Sequence, residues 1–134
     1  MADYGMSVRV DAPLEQALER TRAALAEQGF GVLTEIDVAA TLKAKLDVDV
    51  PAQIILGACN AALAHQGLQI EPDLGLLLPC NVVVRIDETG QTLVSALDPE
   101  LMVSVPGRPE LQPVASEART RLLTALRTVA DQSG

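Results

Sequence analysis

Aromatic residues are almost absent: one tyrosine (Tyr4), one phenylalanine (Phe30) and no tryptophan in 134 residues. Any core must therefore be aliphatic, and single-stranded nucleic acid finds no stacking platform. Positive charge is scarce too. Ten Lys and Arg face eighteen Asp and Glu, giving a net charge of −8 and a pI near 4.5. Phosphate backbones are held mainly by cations, so this balance excludes nucleic acid as a partner. No apolar run approaches the roughly 20 residues of a membrane span, and no membrane partner is expected. Histidine occurs once (His65) and cysteine twice (Cys59, Cys80). With one histidine a hydrolase triad has little to stand on. No GxGxxG, P-loop, GxSxG, HExxH or EF-hand pattern is present. The chain opens Met-Ala-Asp-Tyr-Gly, with no basic segment and no signal-peptide core. Free thiols in a cytoplasmic protein are the expectation that follows.

What is present is aliphatic. Hydrophobic residues make up 49% of the chain, well above the disordered class. The length fits a single domain over 1–134. A domain this size buries roughly two thirds of its unfolded surface, so neither a metal nor a disulfide is needed to hold it.

Periodicity divides the chain into elements. Tyr4, Met6, Val8 and Val10 alternate with Asp3, Gly5, Ser7 and Arg9, the period of a half-buried strand. Asp11-Ala-Pro13 reads as a helix start, with Asp11 placed to take an amide proton. Leu14, Ala17, Leu18, Thr21 and Leu25 keep helical spacing until Gly29, a left-handed stop onto which Phe30 folds back. Residues 30 to 36 read as a second strand. Asp37 caps a short helix over 38 to 46, with Val38, Leu42 and Leu46 turned inward. Ile54 to Leu56 form a third strand, and Asn60 caps a helix to about Gln69 with Leu63 and Leu68 on its apolar side. Glu71 to Gly75 breaks that helix. Alternation returns from Cys80 to Ile86, a hairpin turn falls at Asp87 to Gly90, and Gln91 to Leu97 is the last strand. Asp98-Pro-Glu starts a helical turn, and a final helix runs from about Glu110 through Leu111, Val114, Ala118, Leu122, Ala125, Leu126 and Val129.

This order predicts an α+β fold: a mainly antiparallel sheet with two long helices on one face. The other face is then left for water or a partner. Val83 and Leu33 are expected there beside Arg9 and Arg85, a mixture that suits a homodimer interface as well as a ligand surface.

The stretch from Ile54 to Ile86 holds both cysteines and the histidine. Cys59 stands where a strand meets a helix N-terminus, a position that favours a thiolate. Cys80 is placed inward with Val82 and Val84 and reads as a small buried hydrophobe. Twenty residues between them give neither a redox CxxC nor a zinc knuckle. His65 lies six residues beyond Cys59, off its helical face. A metal site from Cys59, His65 and Cys80 would need Glu71 or Asp73 to complete it, and the weak ligand count argues against one. Caps and turns account for Asp37, Asp47 and Asp49. No cofactor is called for.

Three segments in order, Gly29-Phe-Gly-Val-Leu-Thr-Glu-Ile-Asp37, Leu56-Gly-Ala-Cys-Asn60 and Gly75-Leu-Leu-Leu-Pro-Cys-Asn-Val82, resemble the bacterial and archaeal family known as domain of unknown function 302. The resemblance spans nearly the whole chain. It implies a strand-helix-four-strand-helix fold like that of the TATA-binding protein, a homodimer, and no established activity. Its motif residues map to Gly57, Cys59, Asn60, Pro79, Cys80 and Asn81. Family members often carry a proline after the first Cys-Asn pair, where this chain has Ala61.

The sequence therefore leads to a homodimeric binding module for a small molecule or a protein, more a binder than an enzyme, with those six residues at its site. Two Asn side chains in an apolar setting furnish a pocket in the usual way. A thiol protein for redox, sulfur-carrier or metal-handling work, with Cys59 reactive and Cys80 resolving, is one alternative. A purely structural dimerisation domain is the other.

Overall fold

The computed structural model describes residues 3–131; Met1 and Ala2, part of the leader reading, lie outside them. Five strands and five α-helices follow in the order β1 (Gly5–Val10), α1 (Leu14–Glu27), β2 (Gly31–Asp37), α2 (Val38–Leu46), β3 (Gln53–Cys59), α3 (Ala61–Ile70), β4 (Cys80–Ile86), β5 (Thr92–Leu97), α4 (Leu101–Ser104) and α5 (Gln112–Asp131). Short 3-10 helices cover Pro72–Leu77 and Pro109–Leu111. The fold is α+β, as the element order predicts.

The strands form one sheet in the order β1-β5-β4-β3-β2, and every neighbouring pair is antiparallel. β1 and β2 are thus opposite edges, and α1 carries the chain from one edge to the other. α5 returns beside α1, and both lie on the same face of the sheet. Between helices and sheet sits the main core: Ala17, Leu25, Leu122 and Val129 from the helices against Leu56, Val82, Val84 and Val94. It is aliphatic except for Phe30, whose N–H donates to the Leu25 carbonyl at 2.9 Å while Gly29 takes φ +83°. The expected left-handed stop of α1 is therefore in place.

Several local expectations change. The N-cap of α1 is Pro13, without a side-chain hydrogen bond, so Asp11 does not cap it. α2 is capped by Asp37, whose carboxylate accepts from the Ala40 N–H at 2.9 Å. It buries no residue, and Leu46, expected inward, is 65% exposed. The reason is position: α2 links β2 to β3 at one end of the sheet and packs chiefly on those two strands, away from α1 and α5. In α3 the buried residue is Gly67, while Leu68 stays exposed. A Cβ on Gly67 would lie 2.6 Å from Leu74 Cδ2, so the bare backbone lets α3 seat on the 3-10 turn after it. That turn replaces a simple break, because Pro72 suits its first position and the Glu71 carboxylate accepts from the Asp73 N–H. β3 extends beyond Ile54 to Leu56 at both ends because pairing with β4 runs from Gln53 to Ala58. Leu111 belongs to the 3-10 turn before α5 rather than to the helix itself.

Candidate functional site

Strand register decides where the motif residues go. Ala58 pairs with Cys80, and Gly57 pairs with Asn81. Side chains of directly paired residues share a face, and neighbours along a strand alternate. Cys80, Val82 and Val84 therefore face the helices with Leu56 and Ala58. Gly57 and Asn81 face the other way, with Gln53, Ile55, Val83 and Arg85. The pleat thus sends Asn81 to the opposite face from Cys80, while Cys59, Asn60 and Cys80 border one cavity.

On the helix side, Cys80 is 5% exposed and packs with Leu74, Met102 and Leu111 in a second, smaller core. Burial pushes its thiol up to about 11, and the charge of a neighbouring Cys59 thiolate adds to the rise. At neutral pH Cys80 is protonated, the wrong state for a resolving nucleophile. Cys59, the last residue of β3, is half-buried at the rim of the cavity beside Cys80. Asn60, Leu63 and Leu78 complete that rim. The cavity measures about 20 Å³, room for one water and far below the several hundred Å³ of an organic-ligand pocket.

Asn60 is committed to structure. Its Oδ1 accepts from the Leu63 N–H at 3.2 Å, so the amide that a Cys59 thiolate would seek is engaged by the cap. Its Nδ2 stands 3.0 Å from where a Cβ on Gly29 would sit. Arg121 reaches the same turn and donates to the Gln28 carbonyl at 3.1 Å. Asn60 thus ties the start of α3 to the α1–β2 turn. His65 is exposed on α3 and does not border the cavity. Among the described residues no three His, Cys, Asp or Glu side chains gather as a metal site, so Cys59, His65 and Cys80 are not brought together.

The face opposite α1 and α5 is different, and α2 borders one end of it, where Val38 and Leu42 share a depression with Gln53 and Arg85. A groove of about 400 Å³ runs over β1, β5, β4 and β3, lined among others by Ser7, Gln53, Asn81, Val83, Arg85 and Leu93. In its middle Ser7 and Ser95 hydrogen-bond to each other at 2.7 Å beside Val83, which spends one of their two O–H donors. Of the two arginines on this face, Arg9 is engaged by Asp87 at 2.8 Å and by Gln91. Arg85 is not held in this way. Its nearest carboxylate, the exposed Glu88, lies at 3.8 Å, outside hydrogen-bond range. The side chains of Gln53, Asn81 and Arg85 have no hydrogen-bond partner among the described residues. They are unspent polar groups of the face, and the groove is also lined by Tyr4. Only Asn81 was read from the motif as a site residue. Gln53 and Arg85 were missed as site residues, although strand alternation already set Arg85 beside Val83.

A family model for the domain of unknown function DUF302 matches residues 6–129. The fold is similar to the crystal structure of an uncharacterized conserved DUF302 protein from Bacillus stearothermophilus, with a TM-score of 0.89 and 29% identity over 96% of this chain and 99% of that one. Among curated proteins none matches the sequence.

Proposed function

The chain belongs to the DUF302 family, and from that premise we propose that it is a homodimeric small-ligand-binding module whose site is the sheet face opposite α1 and α5. The observation that carries this reading is the groove of about 400 Å³. It lies within the range of small-molecule sites and combines an aliphatic floor with a few unpaired polar groups, the usual furnishing of such a site. Of the motif residues, Asn81 lines it, and Gly57 and Pro79 belong to the same end of the sheet. Gly57 keeps that end flat, because Thr34 and Pro79 occupy the space a side chain would need.

The dimer reading rests on a different surface. Leu33, Ile36, Leu46, Val48 and Val50 are exposed large hydrophobics within one short segment of β2, α2 and the following turn. Exposed large hydrophobics concentrated in one segment favour an interaction surface. α2 has nine residues and no buried side chain, and helices that short are marginal in water without a packing partner. The chain's only two lysines, Lys43 and Lys45, stand there beside Asp47 and Asp49. Both signs of charge around an apolar patch suit a two-fold contact between identical copies.

Two measurements test the reading. Amide chemical-shift mapping with metabolite-sized compounds is expected to move Gln53, Asn81, Val83 and Ser95 saturably. Shifts confined to the α3 cavity, or none with any compound, would overturn the ligand site. Sedimentation equilibrium is expected to return twice the 14.1 kDa chain mass, and Leu46→Asp to return a monomer. A monomer at every concentration would remove the homodimer.

A further inference from the structure

We infer that the groove selects small organic anions, a carboxylate with an aliphatic body, through the Arg85 guanidinium. The inference rests on the ligand site proposed above and names its substrate class.

Three features point to it. Among the described residues Arg85 is the only charged side chain lining the groove, and it stands at one end. It is opposite Gln53 on β3 and Leu93 on β5. Its side chain is 37% exposed and, among the described residues, ion-paired only with Glu88, itself 85% exposed, at 3.8 Å. Such a surface pair contributes little and yields readily to a better partner. A ligand carboxylate can meet the guanidinium fork through two parallel hydrogen bonds, a geometry that Glu88 does not reach. The neighbouring Gln53 amide offers a further donor.

Beyond Arg85 the floor becomes aliphatic. Val83 and Leu93 line it, and one hydroxyl of the Ser7–Ser95 pair donates to the other, which leaves a single O–H without a protein partner among the described residues. Hydrocarbon along this length desolvates little else that is polar. Asn81 lies four residues along β4, about 13 Å from Arg85 at the strand rise. An eight-carbon chain fits between them, and a ligand with a polar far end meets the Asn81 amide.

Charge makes the selectivity sharp. The chain carries −8, a balance that works against anions in general, so the groove's preference for one rests on Arg85. Removing Arg85 therefore turns the groove from anion-preferring to anion-averse while its apolar floor stays intact.

Octanoate and octanamide are the probes, titrated calorimetrically into the full chain, with amide shifts recorded in parallel. Octanoate is expected to bind saturably, with shifts at Gln53, Val83, Arg85 and Leu93, and octanamide about tenfold more weakly, the usual scale of one charge-assisted contact. Arg85→Gln is expected to reverse the order of the two probes. Arg85→Lys keeps the charge, loses the fork and falls between. Glu88→Gln, at an exposed position remote from folding, is expected to tighten octanoate alone. Equal affinities for the two probes in the wild type, or an unchanged order in Arg85→Gln with an unchanged melting temperature, overturn the anion selectivity and leave the ligand site standing. No shift with either probe overturns both. Shifts of the same residues on simple dilution would mean that a second copy occupies the face, which also overturns the inference.

Discussion

Thr34 fills the space above Gly57. A Cβ on Gly57 would stand 2.2 Å from Thr34 Oγ1 and 2.9 Å from Pro79 Cγ. The register shift in β2 between Val32 and Thr34 is what sets Thr34 opposite Gly57, with Leu33 left out at the bulge and 68% exposed. A glycine in the motif is thereby explained by packing between β2, β3 and the residue that precedes β4.

Gly57→Ala is accordingly expected to destabilise the fold by about 1–3 kcal/mol, the usual range for overpacking. Thr34 can rotate its hydroxyl away, but the Pro79 ring has no such freedom. Thr34→Ala in the same chain should recover part of the loss, not all of it. Urea denaturation of the two single variants and the double variant measures this as a coupling energy. Strict additivity would show that the Thr34 contact is not the cause.

Cys80 sets a second expectation. Its thiol moves from an ordinary 9.0 to about 11, first through burial and then through Cys59. Because the folded state holds the proton more tightly, the linked stability is complete below about pH 9 and is lost as pH rises toward 11. The full span corresponds to about 2–3 kcal/mol. Cys80→Ala should flatten the alkaline limb of the stability profile, at the cost of a small cavity. Iodoacetamide labelling read by mass should modify Cys80 only on unfolding. Rapid labelling of native Cys80 at pH 7 would contradict the burial and restore the two-thiol reading.

Asp87 governs the acid side. Its carboxylate accepts from the Thr89 hydroxyl at 2.6 Å, from the Thr89 and Gln91 amides at 2.9 and 3.1 Å, and from Arg9 at 2.8 Å. These bonds, the Thr89 hydroxyl first, hold the carboxyl well below the usual carboxylate range, against the opposing effect of burial. The stability it contributes is complete above its ordinary value of 3.8 and is lost as pH falls below that. Asp87→Asn removes the charge while keeping the shape. The variant should melt lower at pH 7, and its melting temperature should fall less between pH 5 and pH 2 than the wild type's. A parallel decline in both proteins would place the acid sensitivity elsewhere.

Local rules served well wherever a feature depends on neighbours in sequence. Asp37 and Asn60 cap the helices they precede, Gly29 ends α1 with Phe30 folded back, and Asp87 to Gly90 turns the hairpin. Each is a backbone amide or a φ angle satisfied within a few residues. The same reasoning failed for Leu46 and Leu68, whose helical spacing says only that they share a side of their helix. Whether that side meets anything depends on where the helix is carried, and α2 is carried beyond the helical layer.

The sequence by itself determined an aliphatic α+β domain with a one-sided helical layer, because alternation and 3.6-residue spacing report how each element presents its apolar side. It also singled out the two Cys-Asn pairs. Only the tertiary structure decided where those pairs go. The pairing of Ala58 with Cys80 and Gly57 with Asn81 sends one cysteine into a core and one asparagine onto the open face. A one-residue change of register would exchange them, since the pleat has a period of two. That register is fixed by contacts between residues more than twenty positions apart, and so is the meeting of Gln53, Asn81 and Arg85 around a groove. No local pattern encodes either.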